Sequence, residues 1–174
     1  MKRRMRILGM VGVTSLLLVL LLGVPAQAAN PESVTVSATV AEALRLTVSE
    51  TTVDFGGSLL PDGGPTGNGV YTDTLGAAVS ANRPWRLEVT KDRDLTSASG
   101  YIPSARLTFT SSSSDGRVTA KQSSATEFGS SAVMVAEGSR GGNINVTVSY
   151  RVDIEWEDAP DTYTAVHTYT VVAQ

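Results

Sequence analysis

The amino-acid sequence predicts an all-β fold, an antiparallel β-sandwich of immunoglobulin-like or jelly-roll type. Apolar residues recur at every second position along much of the chain, a spacing that sends alternate side chains to opposite faces of a strand. Helical periodicity is nearly absent, and Gly, Pro, Ser and Asp separate the strand patterns. Because no helix is predicted to cover a sheet, the sheet must pack on another sheet or close on itself. A flattened barrel is therefore the alternative.

Residues 1–28 have the features of a cleavable signal peptide. Four basic residues among the first six precede an uncharged apolar run from Ile7 to Val24. The following Pro25-Ala26-Gln27-Ala28 places small residues at both recognition positions of a signal peptidase. We expect cleavage after Ala28, which leaves residues 29–174 as one β-sandwich domain. The alternative is a retained membrane anchor, since about 18 apolar residues can span a bilayer.

Charge and cysteine content narrow the possible partners and compartments. Residues 29–174 hold 10 basic against 17 acidic residues, a net charge of −7, which disfavours nucleic acid and anionic membranes as partners. The chain has no cysteine, so its core must hold the fold without disulfides. We expect a secreted or cell-surface bacterial protein that binds no cofactor and leaves the membrane after cleavage.

Period-two patterns place six strands in the first part of the domain. The earliest has Val34, Val36, Ala38 and Val40 at alternate positions. A loop rich in Gly and Pro follows over residues 58–68, and the serine-rich segment Ser111–Gly116 is predicted to be a polar tip. The six predicted strands cover residues 34–40, 44–48, 70–74, 77–81, 85–90 and 107–110.

The clearest strand pattern covers residues 144–156, where seven apolar residues alternate with six polar ones without a break. A strand of this length exceeds the usual 5–6 residues or so and is expected to bend or to cross between sheets. After a turn at residues 157–161, the last predicted strand covers residues 162–173. One of its faces carries Tyr163, Ala165, His167, Tyr169 and Val171.

The sequence contains no recognisable catalytic constellation, and we predict that the protein is not an enzyme. A hydrolase needs a nucleophile, a base and an orienting group within hydrogen-bond reach. His167 is the only histidine and lies in the last predicted strand, where we expect it to be half-buried and hydrogen-bonded to a neighbour. One histidine without cysteine also makes a typical zinc site improbable.

Two acidic clusters and two tryptophans allow weaker hypotheses. Asp92 and Asp94 form one cluster, and the turn at residues 155–161 holds the other. Neither has the spacing of a calcium loop, so a solvated hairpin tip is favoured over a weak calcium site. Trp85 and Trp156 could stack on sugar rings, but each borders an alternating apolar face, and we expect both in the core.

Short motifs resemble those of bacterial surface proteins. The triplet Trp85-Arg86-Leu87 resembles the first Trp-x-Leu motif of the WxL family of wall-associated proteins, whose second motif corresponds here to Tyr169-Thr170-Val171. That resemblance implies peptidoglycan binding, with Trp85 and Leu87 as candidate ligand-binding residues. The segment Val53-Asp54-Phe55-Gly56 and the C-terminal strand resemble the spore coat protein U and fimbrial-subunit group, which implies a structural role.

We therefore expect a secreted or cell-surface structural or adhesive protein without catalytic activity. The alternatives are a module that binds wall polysaccharide and a subunit of a pilus or fibre. Residues 34–40 have the pattern of a strand that could complete a neighbour's sheet. Because the last predicted strand is full length, we expect residues 34–40 to pair within their own domain and the protein to be a monomer.

Overall fold

The computed structural model describes residues 33–174, so the predicted signal peptide and its cleavage site lie outside the described residues. Within this range the chain forms eleven strands, and its one helix is a short 3₁₀ turn, Ser104–Arg106. No helix in residues 33–174 is long and apolar enough to cross a membrane. The strands are β1 (Leu44–Val48), β2 (Val70–Ala81), β3 (Trp85–Lys91), β4 (Leu95–Thr96), β5 (Tyr101–Ile102), β6 (Leu107–Ser112), β7 (Val118–Lys121), β8 (Thr126–Glu127), β9 (Val133–Gly138), β10 (Gly141–Asp153) and β11 (His167–Ala173).

The strands form an antiparallel β-sandwich, which confirms the predicted fold class. One sheet has the order β1-β2-β10-β6-β8, and the other has the order β11-β3-β9-β7. The small pair β4-β5 lies in the connection between β3 and β6. All of these pairings are antiparallel. The inner faces of the two main sheets bury a common apolar core.

Alternate residues of the central strands supply that core. The buried positions of β10 are Ile144, Val146, Val148, Tyr150 and Val152, as the sequence pattern predicts. The buried positions of β2 and β3 include Leu75, Ala77, Val79, Ala81, Trp85, Leu87 and Val89. Each of these strands contributes one face to the core and the other to the outside, which is the arrangement that period-two patterning encodes.

Strand β10 differs in three respects from the predicted strand over residues 144–156. It begins at Gly141 and ends at Asp153, in each case three residues earlier than predicted, and it stays in one sheet instead of crossing to the other. It pairs with β2 over almost its whole length and with β6 over its second half. Its irregularity is a register shift between Gly141 and Ile144, where Asn143 has a φ of 53°.

The prediction of a first strand over residues 34–40 is wrong. Residues 33–43 contain no strand, and β1 begins at Leu44. The side chains of this segment are exposed, with relative exposures of 85% for Val34, 89% for Val36 and 82% for Val40. Alternating valines favour an extended backbone, but a strand also needs a hydrogen-bonded partner. The expected pairing within the domain is therefore not formed by residues 33–43.

Other differences follow from local interactions that the pattern does not encode. The two strands predicted over residues 70–74 and 77–81 are one continuous strand, β2, because Gly76 stays in the sheet and donates its N–H to Ser49 Oγ at 2.9 Å. The predicted polar tip Ser111–Gly116 begins too early. Ser111 belongs to β6 and is buried, and its hydroxyl donates a 2.6 Å hydrogen bond to the Val135 carbonyl.

The last strand begins at His167, five residues later than predicted. Before it, Thr164 forms an isolated bridge with Thr96. The short strands β7 and β8 and the strand β9 were not predicted, since their surroundings are rich in Ser, Gly and Thr.

The Trp85 indole fixes the packing at one pole of the sandwich. Its Nε1–H donates to the Ser139 carbonyl at 2.9 Å. The ring lies against Gly138, where an added Cβ would stand 2.4 Å from a ring carbon. Only glycine therefore fits at position 138 without displacing the fully buried indole.

Candidate functional site

The predicted ligand-binding residues Trp85 and Leu87 are both inside the sandwich. Each has a relative exposure of 0%, and both belong to the buried face of β3. The expectation that Trp85 packs in the core is confirmed. Peptidoglycan binding at Trp85 and Leu87 stays a prediction of the motif resemblance, and a surface polymer would contact their neighbours rather than these two side chains.

Trp156 is exposed, and the expectation that it packs in the core is wrong. Its relative exposure is 75%. Because β10 ends at Asp153, Trp156 no longer follows the alternation of the sheet and instead lies in a turn. The alternation in the sequence continues past the end of the strand. It therefore led to the wrong prediction that Trp156 is buried.

The turn that carries Trp156, residues 155–158, is held by a charged anchor. Arg106 donates two 2.7 Å hydrogen bonds to Asp158, one from each terminal nitrogen, and both side chains are largely buried. Asp158 Oδ2 also accepts the Glu155 N–H at 2.8 Å. The Arg106 guanidinium lowers the pKa of Asp158. Bidentate pairing of this kind fixes both the position and the orientation of the Asp158 carboxylate, so it ties the Trp156 turn to Arg106.

His167 belongs to an aromatic cluster that links the two sheets. Its Nδ1 is 3.2 Å from the Tyr150 hydroxyl, which is in turn 2.8 Å from the Tyr169 hydroxyl. The imidazole packs on Phe128 with ring centroids 4.0 Å apart. The expectation of a half-buried histidine bonded to a neighbour is confirmed. The sequence could not identify Tyr150 as that neighbour, because the two residues belong to different sheets.

Burial controls the ionisation of this cluster. It lowers the pKa of His167 to about 4, an effect that nearby Asp92 opposes and nearby Lys91 reinforces. It raises the pKa of Tyr150 to about 12 and also raises that of Tyr169. His167 is therefore neutral at physiological pH. The Nε2 atom of His167 is buried and makes no hydrogen bond to another described residue.

Several carboxylates of the two acidic clusters are engaged with protein groups, whereas Glu157 is exposed. Asp92 accepts the Val166 N–H at 2.8 Å, and Asp94 contacts Lys91 and Ser104. Asp161 accepts the N–H of Ser99 at 3.1 Å. In the described part of the chain, no three acidic or histidine side chains are grouped to hold a metal. These contacts fasten loops to one another at the end of the sandwich where β10 finishes.

The opposite pole of the sandwich has an open cleft of about 1200 Å³ beside the start of β1. Asn82 holds the chain there, since its side chain accepts the Ala43 N–H at 3.0 Å and donates to the Ala41 carbonyl at 2.7 Å. Arg83 donates to Glu42 at 2.6 Å and also to the Gln174 carbonyl. The path of the chain from Ala41 into β1 is thus fixed.

Residues 33–41, which we name the valine segment, are exposed and uncharged. Their sequence contains neither glycine nor proline, and four of the nine residues are valine or alanine at alternate positions. Among the described strands, the outer ones of each main sheet have a hydrogen-bonded neighbour on one side only, β1 and β8 in one sheet and β11 and β7 in the other. A β-branched segment outside a sheet and open sheet edges are the two components that strand addition requires.

No family model matches this chain, and no curated protein matches it. The described surface has two distinctive features, the valine segment and the anchored turn with Trp156. They lie on different parts of the sequence and suggest different interactions.

Proposed function

We propose that this chain is a non-catalytic structural or adhesive protein of the bacterial cell surface. The predicted export signal supports the location, and the cysteine-free sandwich supports a stable module. The observation that carries the proposal is the exposed valine segment. It has the alternation of a β-strand but no strand partner among the described residues, and structural proteins use such segments to join copies of themselves.

The valine segment favours a fibre subunit as the specific form of this role. Burying a valine side chain contributes about 1.5–3 kcal/mol, so three exposed valines can stabilise an intermolecular strand substantially. The backbone of the segment would gain main-chain hydrogen bonds in the same step. This proposal replaces the monomer that the sequence pattern led us to expect, since that expectation depended on pairing within the domain.

Strand β11 is the acceptor edge that suits the valine segment best. It is the longer of the two outer strands of the four-stranded sheet and has seven residues, the same number as residues 34–40. Its inward residues Tyr169 and Val171 are half-buried and pack against the core. An added strand whose valines face the same way would cover these side chains. We therefore propose β11 of a second copy as the partner of the valine segment.

Size-exclusion chromatography with light scattering tests this proposal on residues 29–174 over a range of concentrations. The expected result is a series of oligomers that persists in mild detergent. Val36→Lys should abolish the series, because it places a charge on the face that becomes buried. Thr35→Lys is the matched control, since its side chain points to the opposite face and should leave assembly intact. A monomer at every concentration would exclude the fibre subunit.

A further inference from the structure

We propose that Trp156 is a binding platform for a neutral saccharide ring, with the flanking carboxylates of Glu155 and Glu157 as acceptors for its hydroxyl groups. This site does not depend on strand addition, because the valine segment contributes nothing to the Trp156 turn. It also differs from the site that the Trp-x-Leu resemblance implies, since Trp85 and Leu87 are buried.

Trp156 contributes little of its surface to the core. Tryptophan is highly buried on average, and leaving its large apolar face in water forfeits the stabilisation that burial gives. Trp85 is the contrasting case, because its indole is fully buried and its N–H donates a hydrogen bond. Trp156 is instead 75% exposed at the tip of a turn. Its indole is available to a ligand.

The Trp156 turn is tied to the sandwich before any ligand binds. Arg106 holds Asp158 by two hydrogen bonds, and the Glu155 and Asp158 backbones are joined by a 3.1 Å hydrogen bond. A ligand that stacks on the indole therefore loses little free energy to ordering the loop beneath it. An exposed tryptophan on a loose loop would lack this advantage.

The residues on either side of Trp156 in the sequence indicate the chemical class of the ligand. Glu155 lies 3.3 Å from Arg106 through one carboxylate oxygen, but its side chain remains more than half exposed. Glu157 is exposed as well. With Asp158 the turn carries three carboxylates against one guanidinium, so it repels anions. A neutral sugar ring offers an apolar face of C–H groups to the indole and hydroxyl donors to the carboxylates.

A protein partner fits this surface less well than a sugar. Hot spots of protein interfaces lie in well-packed pockets from which water is excluded. Here Trp156 has charged residues on both sides in the sequence, and both are exposed. One indole face with hydroxyl-accepting neighbours matches a single ring in size. Binding of a lysine-rich peptide through the aromatic face is the competing outcome, and the experiment includes it.

The two tryptophans make the test specific. Trp85 is buried and Trp156 is exposed, so acrylamide should quench mainly the fluorescence of Trp156. We would titrate residues 29–174 with chitotetraose, cellotetraose and xylotetraose, and with a tetralysine peptide. The expected result is a saturable blue shift and protection from acrylamide with at least one saccharide. Saturable binding of tetralysine alone, or no saturable change with any probe, would overturn the proposal.

Variants can distinguish loss of saccharide binding at Trp156 from loss of the fold. Trp156→Ala should abolish the saccharide response, as measured by isothermal titration calorimetry, while its far-ultraviolet circular dichroism stays unchanged. Tyr101→Ala is a matched control, because Tyr101 is also an exposed aromatic residue, at 64%. Glu155→Gln with Glu157→Gln should weaken binding about tenfold, as loss of charged hydrogen-bond acceptors does. Undiminished binding by Trp156→Ala would place the sugar elsewhere and refute the platform.

Discussion

Strand β10 and the valine segment have the same sequence pattern and opposite environments. Both alternate aliphatic with polar residues, yet the apolar positions of β10 are buried whereas Val34, Val36 and Val40 are exposed. The difference lies in the partners. Strand β10 is paired on both sides, by β2 and β6, and a second sheet covers its inner face. Alternation therefore predicts which residues can form a strand, and the available sheet edge decides whether they do.

The largest expected change in stability comes from a charge placed in β10, and the same charge in the valine segment should have no effect on stability. Val148→Asp buries an unpaired carboxylate among Val146, Tyr150 and Val152, and should unfold the domain, with a loss above about 4 kcal/mol. Val36→Asp should leave the melting temperature of a dilute sample unchanged. Thermal unfolding followed by circular dichroism measures both. A folded Val148→Asp protein would mean that β10 is not the core strand described here.

The outward face of β10 provides the control for that comparison. Thr147 is exposed and lies one residue from Val148 on the opposite face of the strand. Thr147→Asp should be tolerated within about 0.5 kcal/mol, as surface substitutions usually are.

The next effect concerns close packing at the pole where β10 begins. Gly138→Ala would press a methyl group against the Trp85 ring and the Arg117 carbonyl, and should destabilise the domain by about 1–3 kcal/mol. Gly142→Ala is the matched control, since nothing lies within 4 Å of the position its Cβ would take. Urea denaturation with a shared slope would compare the two. Equal stabilities would contradict the contact between Gly138 and Trp85.

An effect of similar size is expected from pH. The pKa of His167 falls from about 6.5 in the unfolded chain to about 4 in the folded one, because burial disfavours the charged form. The unfolded state thus binds more protons between these values. The contribution of neutral His167 to the free energy of unfolding should be fully present above about pH 6.5. It should fall by about 2–3 kcal/mol as the pH drops to 4.

Replacing the imidazole should isolate this contribution from that of the carboxylates. His167→Gln should flatten the profile between pH 6.5 and 4, although the unfolding free energy at pH 7 falls as well. Asp158, whose pKa is lowered by Arg106, loses its contribution at still lower pH. An unchanged slope in the His167→Gln protein would show that other groups cause the pH dependence. Deleting the uncharged valine segment should not alter the profile.

The smallest effect is expected from removing the valine segment itself. A protein that starts at Ala41 should unfold at the same temperature as residues 29–174 when both are dilute, since residues 33–40 form no strand. Differential scanning calorimetry at two concentrations is a suitable measurement. A large loss of stability at the lower concentration would mean that the segment supports its own domain after all.

Sequence patterns predicted those parts of the fold whose residues alternate and lie between recognised turns. They identified β1, β3 and the inner face of β10, and they placed Trp85 in the core. They failed where the outcome depends on contacts between distant residues. Ser111 can be buried because its hydroxyl donates a hydrogen bond to the Val135 carbonyl, and no local pattern encodes that bond.

The candidate site was harder to predict than the fold for the same reason. Trp156 continues an unbroken alternation of apolar and polar residues. The sequence pattern therefore did not indicate that Trp156 lies outside the sheet. The signal that could have revealed it is the acidic, proline-containing sequence that follows, which marks a nearby strand end. Its anchor, Arg106, is about fifty residues away in the chain, and only the folded structure brings it to Asp158.

Arg83 brings two distant parts of the chain together at one end of the sandwich. Arg83 holds both Glu42, where the chain enters the sandwich, and Gln174. Strand β10 runs away from that pole for thirteen residues, a distance of about 40 Å at the usual rise per residue, before it reaches the Trp156 turn. If the chain were attached to a surface at residue 41 or at residue 174, the sandwich would be attached by one end. The Trp156 indole would then be exposed at the other end. Orientation on a surface would come from the fold itself, without any second attachment.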